Sequence, residues 1–191
     1  MPSQIQVDKI IDSGSTSNKE LAEYSSSAWS WGQGVPDGTV VQVKNHQFGS
    51  VLNLGNALVP YDDTIPQNDE GGEVMALAIT PLSTTNKLKI DILVNMSPTL
   101  SAEKIVIALF QDTNADAIAC SCEELYDSNY MLAIPLTHFM TAGTTSSTTF
   151  KVRAGRTDSH GNALTINGYA GSRKFGGVSV TSITITEIKD S

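Results

Sequence analysis

From Lys87 to Met96 the sequence alternates. Leu88, Ile90, Ile92, Val94 and Met96 fall on one side, while Lys87, Lys89, Asp91 and Asn95 dominate the other. An extended chain sends successive side chains to opposite faces, so this period of two demands a strand with one packed face and one wet face. The run Glu103–Gln111 is apolar at both parities, through Ile105, Val106, Ile107, Ala108, Leu109 and Phe110. It predicts a strand covered on both faces, either within the fold or at a subunit interface.

Further strand patterns follow at Gly38–Lys44, Ser50–Leu54, Val74–Thr80, Tyr130–Leu136, Thr148–Ala154, Leu164–Gly168 and Val178–Ile188. In the last of these the apolar parity shifts between Val178/Val180 and Ile183/Ile185, which predicts a bulge. Clusters of Gly, Pro, Asn, Asp and Ser separate the runs, as in Tyr61–Gly72, Asp112–Asp116 and Gly171–Gly177. Eight or nine short strands with almost no helical periodicity predict an all-β, jelly-roll-like sandwich over residues 35–191. Residues 1–34 read differently. A Gly/Ser break follows Ile10, then a possible short helix starts at Ser17 with Glu20 as its capping-box partner. Trp29 and Trp31 come next, in a segment too small to bury two indoles alone, so they are expected to pack on the sandwich or on a neighbouring chain.

Charge and composition narrow the function. With 20 acidic against 12 basic residues and a net charge of −8, the chain lacks the concentrated basic surface that phosphate backbones need, so no nucleic-acid partner is expected. No apolar run is long enough to span a bilayer as a helix, and the first eleven residues lack an apolar signal core. Cys120 and Cys122, one residue apart, read as free thiols in a reducing compartment rather than as an intermolecular crosslink, and without a nearby histidine they make a poor zinc site. Asp112, Asn114, Asp116, Ile118, Cys120 and Glu123 match the spacing of a calcium loop, but Ala117 stands where the sharp turn needs glycine. A plain hairpin turn at Asp112–Ala115 accounts for the same residues, and no metal or cofactor is expected. His46, His138 and His160 belong to no catalytic motif; His138 reads as a satisfied buried imidazole and His160 as an exposed loop residue. Aromatic content of 6% offers few sugar-stacking platforms, and the chain is expected not to be an enzyme.

Other residues carry a resemblance. Ile5-Gln6-Val7-Asp8-Lys9-Ile10 before a Gly/Ser break, Gly38-Thr39-Val40-Val41-Gln42-Val43, Lys87-Leu88-Lys89-Ile90 after a Thr/Ser turn, Ile107-Ala108-Leu109-Phe110 before a polar turn, Thr148-Thr149-Phe150-Lys151-Val152-Arg153 and the closing Val180–Ile188 strand all contribute. Together they resemble small bacteriophage tail-fibre, or receptor-binding, proteins over residues 4–188. The resemblance implies a homotrimer in the virion tail, assembled in the bacterial cytoplasm. Its jelly-roll-like tip would contact a host-surface glycan, and its N-terminal segment would join other tail proteins. A three-fold assembly would cover Ile105, Ile107 and Leu109 and give Trp29 and Trp31 a neighbour. Sugar recognition combines a stacking ring with charged groups, so the candidate contacts are the loop residues Tyr61, Tyr126, Arg156, Asp158, His160, Tyr169, Arg173 and Phe175.

Overall fold

The computed structural model describes residues 9–11, 20–25, 28–31, 35–99, 103–126, 130–158 and 163–191. The first three segments are strands: β1 (Lys9–Ile11), β2 (Glu20–Ser25) and β3 (Ala28–Trp31), paired antiparallel in that order. The helix expected from Ser17 is therefore corrected, since Glu20–Ser25 is extended. Ala22 faces Ile10 on one side and Trp31 on the other. A helix this short cannot repay its own nucleation, whereas a middle strand satisfies its backbone on both edges. Ser17–Lys19 and the side chains of Trp29 and Trp31 lie outside the described residues.

The remaining strands are β4 (Val40–Phe48), β5 (Leu52–Asn53), β6 (Gly72–Ile79), β7 (Lys87–Ser97), β8 (Glu103–Gln111), β9 (Ala119–Leu125), β10 (Leu132–Thr141), β11 (Thr148–Arg156), β12 (Thr165–Ile166), β13 (Gly168–Tyr169), β14 (Ser172–Arg173) and β15 (Thr181–Ile188). The long strands form two antiparallel sheets. One runs β4-β15-β7-β10, with the short β12-β5 pair continuing beside β7, and the other runs β6-β11-β8-β9. Numbered from β4 as the first long strand, the orders are 1-8-3-6 and 2-7-4-5. Two interleaved Greek keys of this kind make a jelly roll.

Each sheet buries the parity that alternation predicts. Leu88, Ile90, Val94 and Met96 of β7 meet Ile105, Ile107 and Leu109 of β8 and Phe150, Val152 and Ala154 of β11 in one core, all at most 1% exposed apart from the slightly more open Ile92 between them. This corrects the expectation for Ile105, Ile107 and Leu109: they fill the interior of a single subunit and leave no face for a second copy. The opposite parity of β8 is also covered, Val106, Ala108 and Phe110 being at most 5% exposed. The cover comes from the chain between β5 and β6. Val59 N donates to Arg156 O (2.8 Å) at one end, Asn68 N donates to Ala115 O (2.8 Å) at the other, and Arg153 reaches up to the carbonyls of Glu70 and Gly71 (2.7 and 2.8 Å). Residues 57–71 thus lie across the outer face of this sheet. Gly155 permits the approach, since a Cβ there would stand 2.8 Å from Val59 Cγ2 and 3.1 Å from Ala57 O.

The final strand starts at Thr181, because Val178 closes a 3₁₀ turn (Phe175–Gly177). The parity shift marks that entry, not a bulge, and the register of β15 slips instead between Glu187 and Ile188. Glu187 is fully buried there. Its carboxylate accepts from Asn86 Nδ2 (2.6 Å), Leu82 N (2.7 Å) and Gln42 Nε2 (2.9 Å), as a buried ionisable group must.

Candidate functional site

Topology sorts the loops. β4 enters and β15 leaves at one end of the sandwich, Val40 opposite Ile188, beside the connections 80–86, 112–118 and 142–147. The loops 49–71, 98–102, 126–131 and 157–180 all leave from the other end. Of the residues expected to contact a receptor, the described ones, Tyr61, Tyr126, Arg156, Asp158, Tyr169, Arg173 and Phe175, fall in or beside this second set.

The most constructed of these loops is 167–180. β13 and β14 form a hairpin through Ala170 and Gly171, at φ 47° and 76°, and the next turn holds Phe175, Gly176 and Gly177 at φ 51°, 63° and 92°. A phenylalanine in the left-handed region persists only where its surroundings over-determine it. The base of the loop is polar. The Asn167 carboxamide donates to Phe48 O (2.9 Å) and Ser50 O (3.2 Å) and accepts from the Thr181 hydroxyl (2.9 Å), while its backbone N donates to Asn95 O (2.8 Å). Ser97 Oγ donates to Gly168 O (2.8 Å), Gly171 N to Thr165 Oγ1 (3.0 Å), and Asn95 Nδ2 to Val180 O (2.6 Å). Ser97, Thr165, Asn167 and Thr181 are at most 1% exposed. Gly49 backs the turn so closely that a Cβ would lie 2.1 Å from Gly177 O.

On this base the loop displays its side chains outward. Phe175 is 71% exposed, Arg173 and Lys174 are exposed, and Lys174 Nζ stands 5.9 Å from the centroid of the half-buried Tyr169 ring. Three of the candidate contacts, Tyr169, Arg173 and Phe175, thus stand in one loop with Lys174, whose amine over the Tyr169 face is a cation–π pair. Tyr61 belongs to a second patch on the covering segment, where Lys104 Nζ lies 5.0 Å from its ring and 3.7 Å from the Glu124 carboxylate. Tyr126 is exposed just past β9.

Arg156 needs correction as a receptor contact. It continues the inward parity of Val152 and Ala154 on β11 and is wholly buried. Its guanidinium donates to Asn56 Oδ1, and its backbone pairs with Ala57 O (2.9 Å) and Val59 N (2.8 Å), so it ties down the chain where the covering segment begins. Asp158 is half-buried next to it, and His160 lies outside the described residues. Sequence reasoning also missed Asn167, Thr165, Thr181 and Ser97. The usable signal was Asn167-Gly168, a pair suited to left-handed backbone.

Other chemistry-bearing residues are accounted for by the fold. Asp112 opens the β8–β9 hairpin turn, as the turn reading expected, and its carboxylate accepts from Thr149 N (2.7 Å) and Thr148 Oγ1 (2.8 Å). Cys120 and Cys122 are free and exposed on β9. Partial burial pushes the Cys122 thiol above its ordinary value, against the opposing pull of Lys104. His138 sits half-buried on β10, where loss of solvent pushes its pKa down. Among the described residues, no three His, Cys, Asp or Glu side chains gather as metal ligands, and no helix is long and apolar enough to cross a membrane.

No protein-family model matches the sequence, and no curated protein matches it. Among solved structures, the chain is similar to the C-terminal domain of EclA, a sugar-binding protein (18% identity, 71% of this chain and 81% of that one, TM-score 0.34). It is also similar to the Eiger TNF of S. frugiperda (8% identity, 78% and 94%, TM-score 0.44) and to the enzymatically active domain of bacteriophage CBA120 tailspike protein 4 (13% identity, 68% and 19%, TM-score 0.28). Scores this low carry no argument about what the chain does.

Proposed function

We propose that the chain is a virion component of a bacteriophage tail, a tail-fibre or receptor-binding protein that recognises a host-surface glycan without cleaving it. The observation that carries the reading is the polarity of the sandwich. The strands enter and leave at one end, while a rigidly anchored loop presents Tyr169, Arg173, Lys174 and Phe175 at the other. A protein held by its N-terminal segment would offer that loop outward, and a ring beside two cations suits a hydroxyl-rich or acidic sugar. The sequence resemblance supplies the virion setting and the homotrimer. Strand β8 supports neither, since its apolar residues are satisfied within one subunit.

The test mixes fluorescently labelled protein with a panel of bacterial strains and measures its mass in solution by light scattering. The reading expects retention on at least one strain, release by polysaccharide extracted from that strain, a mass three times that of the chain, and no new reducing ends. Trimerisation without binding to any strain would favour a purely structural collar or decoration protein. Release of reducing ends would make the chain a glycan-cleaving enzyme.

A further inference from the structure

A separate cleft of about 210 Å³ opens on the outer face of the β6-β11-β8-β9 sheet, lined by Asn68, Glu73, Phe110, Asp112, Thr113, Lys151 and Arg153. It lies under the far end of the covering segment, away from the 167–180 loop. Its walls are fixed by bonds that use only part of their capacity. Asn68 Nδ2 donates to Asn114 O (3.0 Å), leaving its carbonyl oxygen to accept. Arg153 spends Nε and Nη2 on Glu70 O and Gly71 O, leaving Nη1. Asp112 is held by Thr148 and Thr149 at φ 53°. Across the register, Lys151 stands opposite Phe110 and Arg153 opposite Glu73. Neither the Lys151 amine nor the Glu73 carboxylate forms an ion pair among the described residues.

We propose that this cleft is a binding subsite for a single neutral sugar ring. Two cations and two carboxylates give no net charge to draw in an anion or a cation. They do offer charged donors and acceptors side by side, and a hydroxyl, which both donates and accepts, is the group that can use both. The volume falls below the roughly 300 Å³ at which drug-sized pockets begin, so one ring fits and a chain of rings does not. Phe110, at 2% exposure, lies packed beneath the site and fixes its floor. The walls are ordered before binding, which lowers the entropy that binding must overcome. The proposal stands apart from the loop-end reading and shares no residue with it.

The test is a titration of ¹⁵N-labelled full chain, followed by amide chemical shifts, with methyl β-glucoside, methyl β-galactoside and N-acetylglucosamine, and with glycine and acetate as charged controls. At least one sugar should shift the amides of Asn68, Glu73, Asp112, Thr113 and Lys151 in the millimolar range, with affinity unchanged between about 0.05 and 0.5 M salt. Lys151→Gln and Glu73→Gln should each weaken it about tenfold, the loss of one charge-assisted hydrogen bond, while the remaining spectrum stays dispersed. The proposal is overturned if no sugar moves those amides, if only glycine or acetate does, if the shifts appear instead at 168–176, or if binding survives both substitutions.

Discussion

Strand β8 and the 167–180 loop are both immobilised, but by opposite means. β8 is held by apolar contact on two faces, Ile105, Ile107 and Leu109 inward and Val106, Ala108 and Phe110 outward. The loop buries no comparable apolar cluster and is held by buried amides and hydroxyls, Asn167, Thr165, Thr181 and Ser97, each bonded to backbone or to another side chain. The difference teaches where freedom to vary lies. Packing fixes the position of β8 and leaves its apolar side chains almost no surface open to solvent. A hydrogen-bonded base fixes the loop backbone while freeing Arg173, Lys174 and Phe175 to face solvent.

Substitutions at each region should break this contrast to different depths. Ile107→Ala leaves a cavity between the sheets and should cost about 2–5 kcal/mol, read by urea denaturation of the purified chain. Gly155→Ala drives a methyl group into Val59 and should cost about 1–3 kcal/mol, with faster amide exchange across residues 57–71 as the covering segment lifts. Asn167→Ala strips three side-chain bonds from the loop base and should cost about 1–3 kcal/mol, but its amide exchange should rise at 168–178 and not in β8. Arg173→Ala, at an exposed position, should change stability by no more than about 0.5 kcal/mol in thermal melts.

The smallest expected effect is one of pH. Burial holds the His138 pKa below its ordinary value, so the unfolded chain binds the proton more readily than the folded one. Stability contributed by the neutral imidazole is therefore present above the unfolded value near 6.5 and is lost as pH falls from there toward the lowered folded value. His138→Gln should flatten that part of a pH-dependent melting curve, and an unchanged slope would refute the assignment.

The sequence pattern showed the fold more readily than the site, for a physical reason. Alternation in β7, β10 and β11 records burial directly, and burial decides the sheets. β9 is harder to see because its outward positions are Cys120, Cys122 and Glu124, and it contributes little to the core apart from Leu125. The two-sided run in β8 recorded double burial correctly but could not say what lay on each side. The outer cover is residues 57–71, whose Gly, Asp and Pro content reads as an ordinary loop. Arg156 misled because an arginine beside a polar loop is usually exposed, and only the parity carried on from Val152 and Ala154 places it inside. The base of the loop was invisible for a similar reason: Thr165, Thr181 and Ser97 look like surface residues until the fold encloses them. Tyr169, Arg173 and Phe175 could be nominated because ring and charge together are legible in the sequence without knowing the support.

The polarity of the molecule is tested most directly by comparing two variants for retention on a strain that binds the native protein. One carries Arg173→Ala with Phe175→Ala at the loop end, and the other carries Leu82→Ser, an exposed side chain in the β6–β7 connection at the opposite end. The account predicts at least a tenfold loss for the first and native retention for the second, with both chains as stable as the native one. Native retention by the loop variant, or loss on changing Leu82 alone, would contradict it.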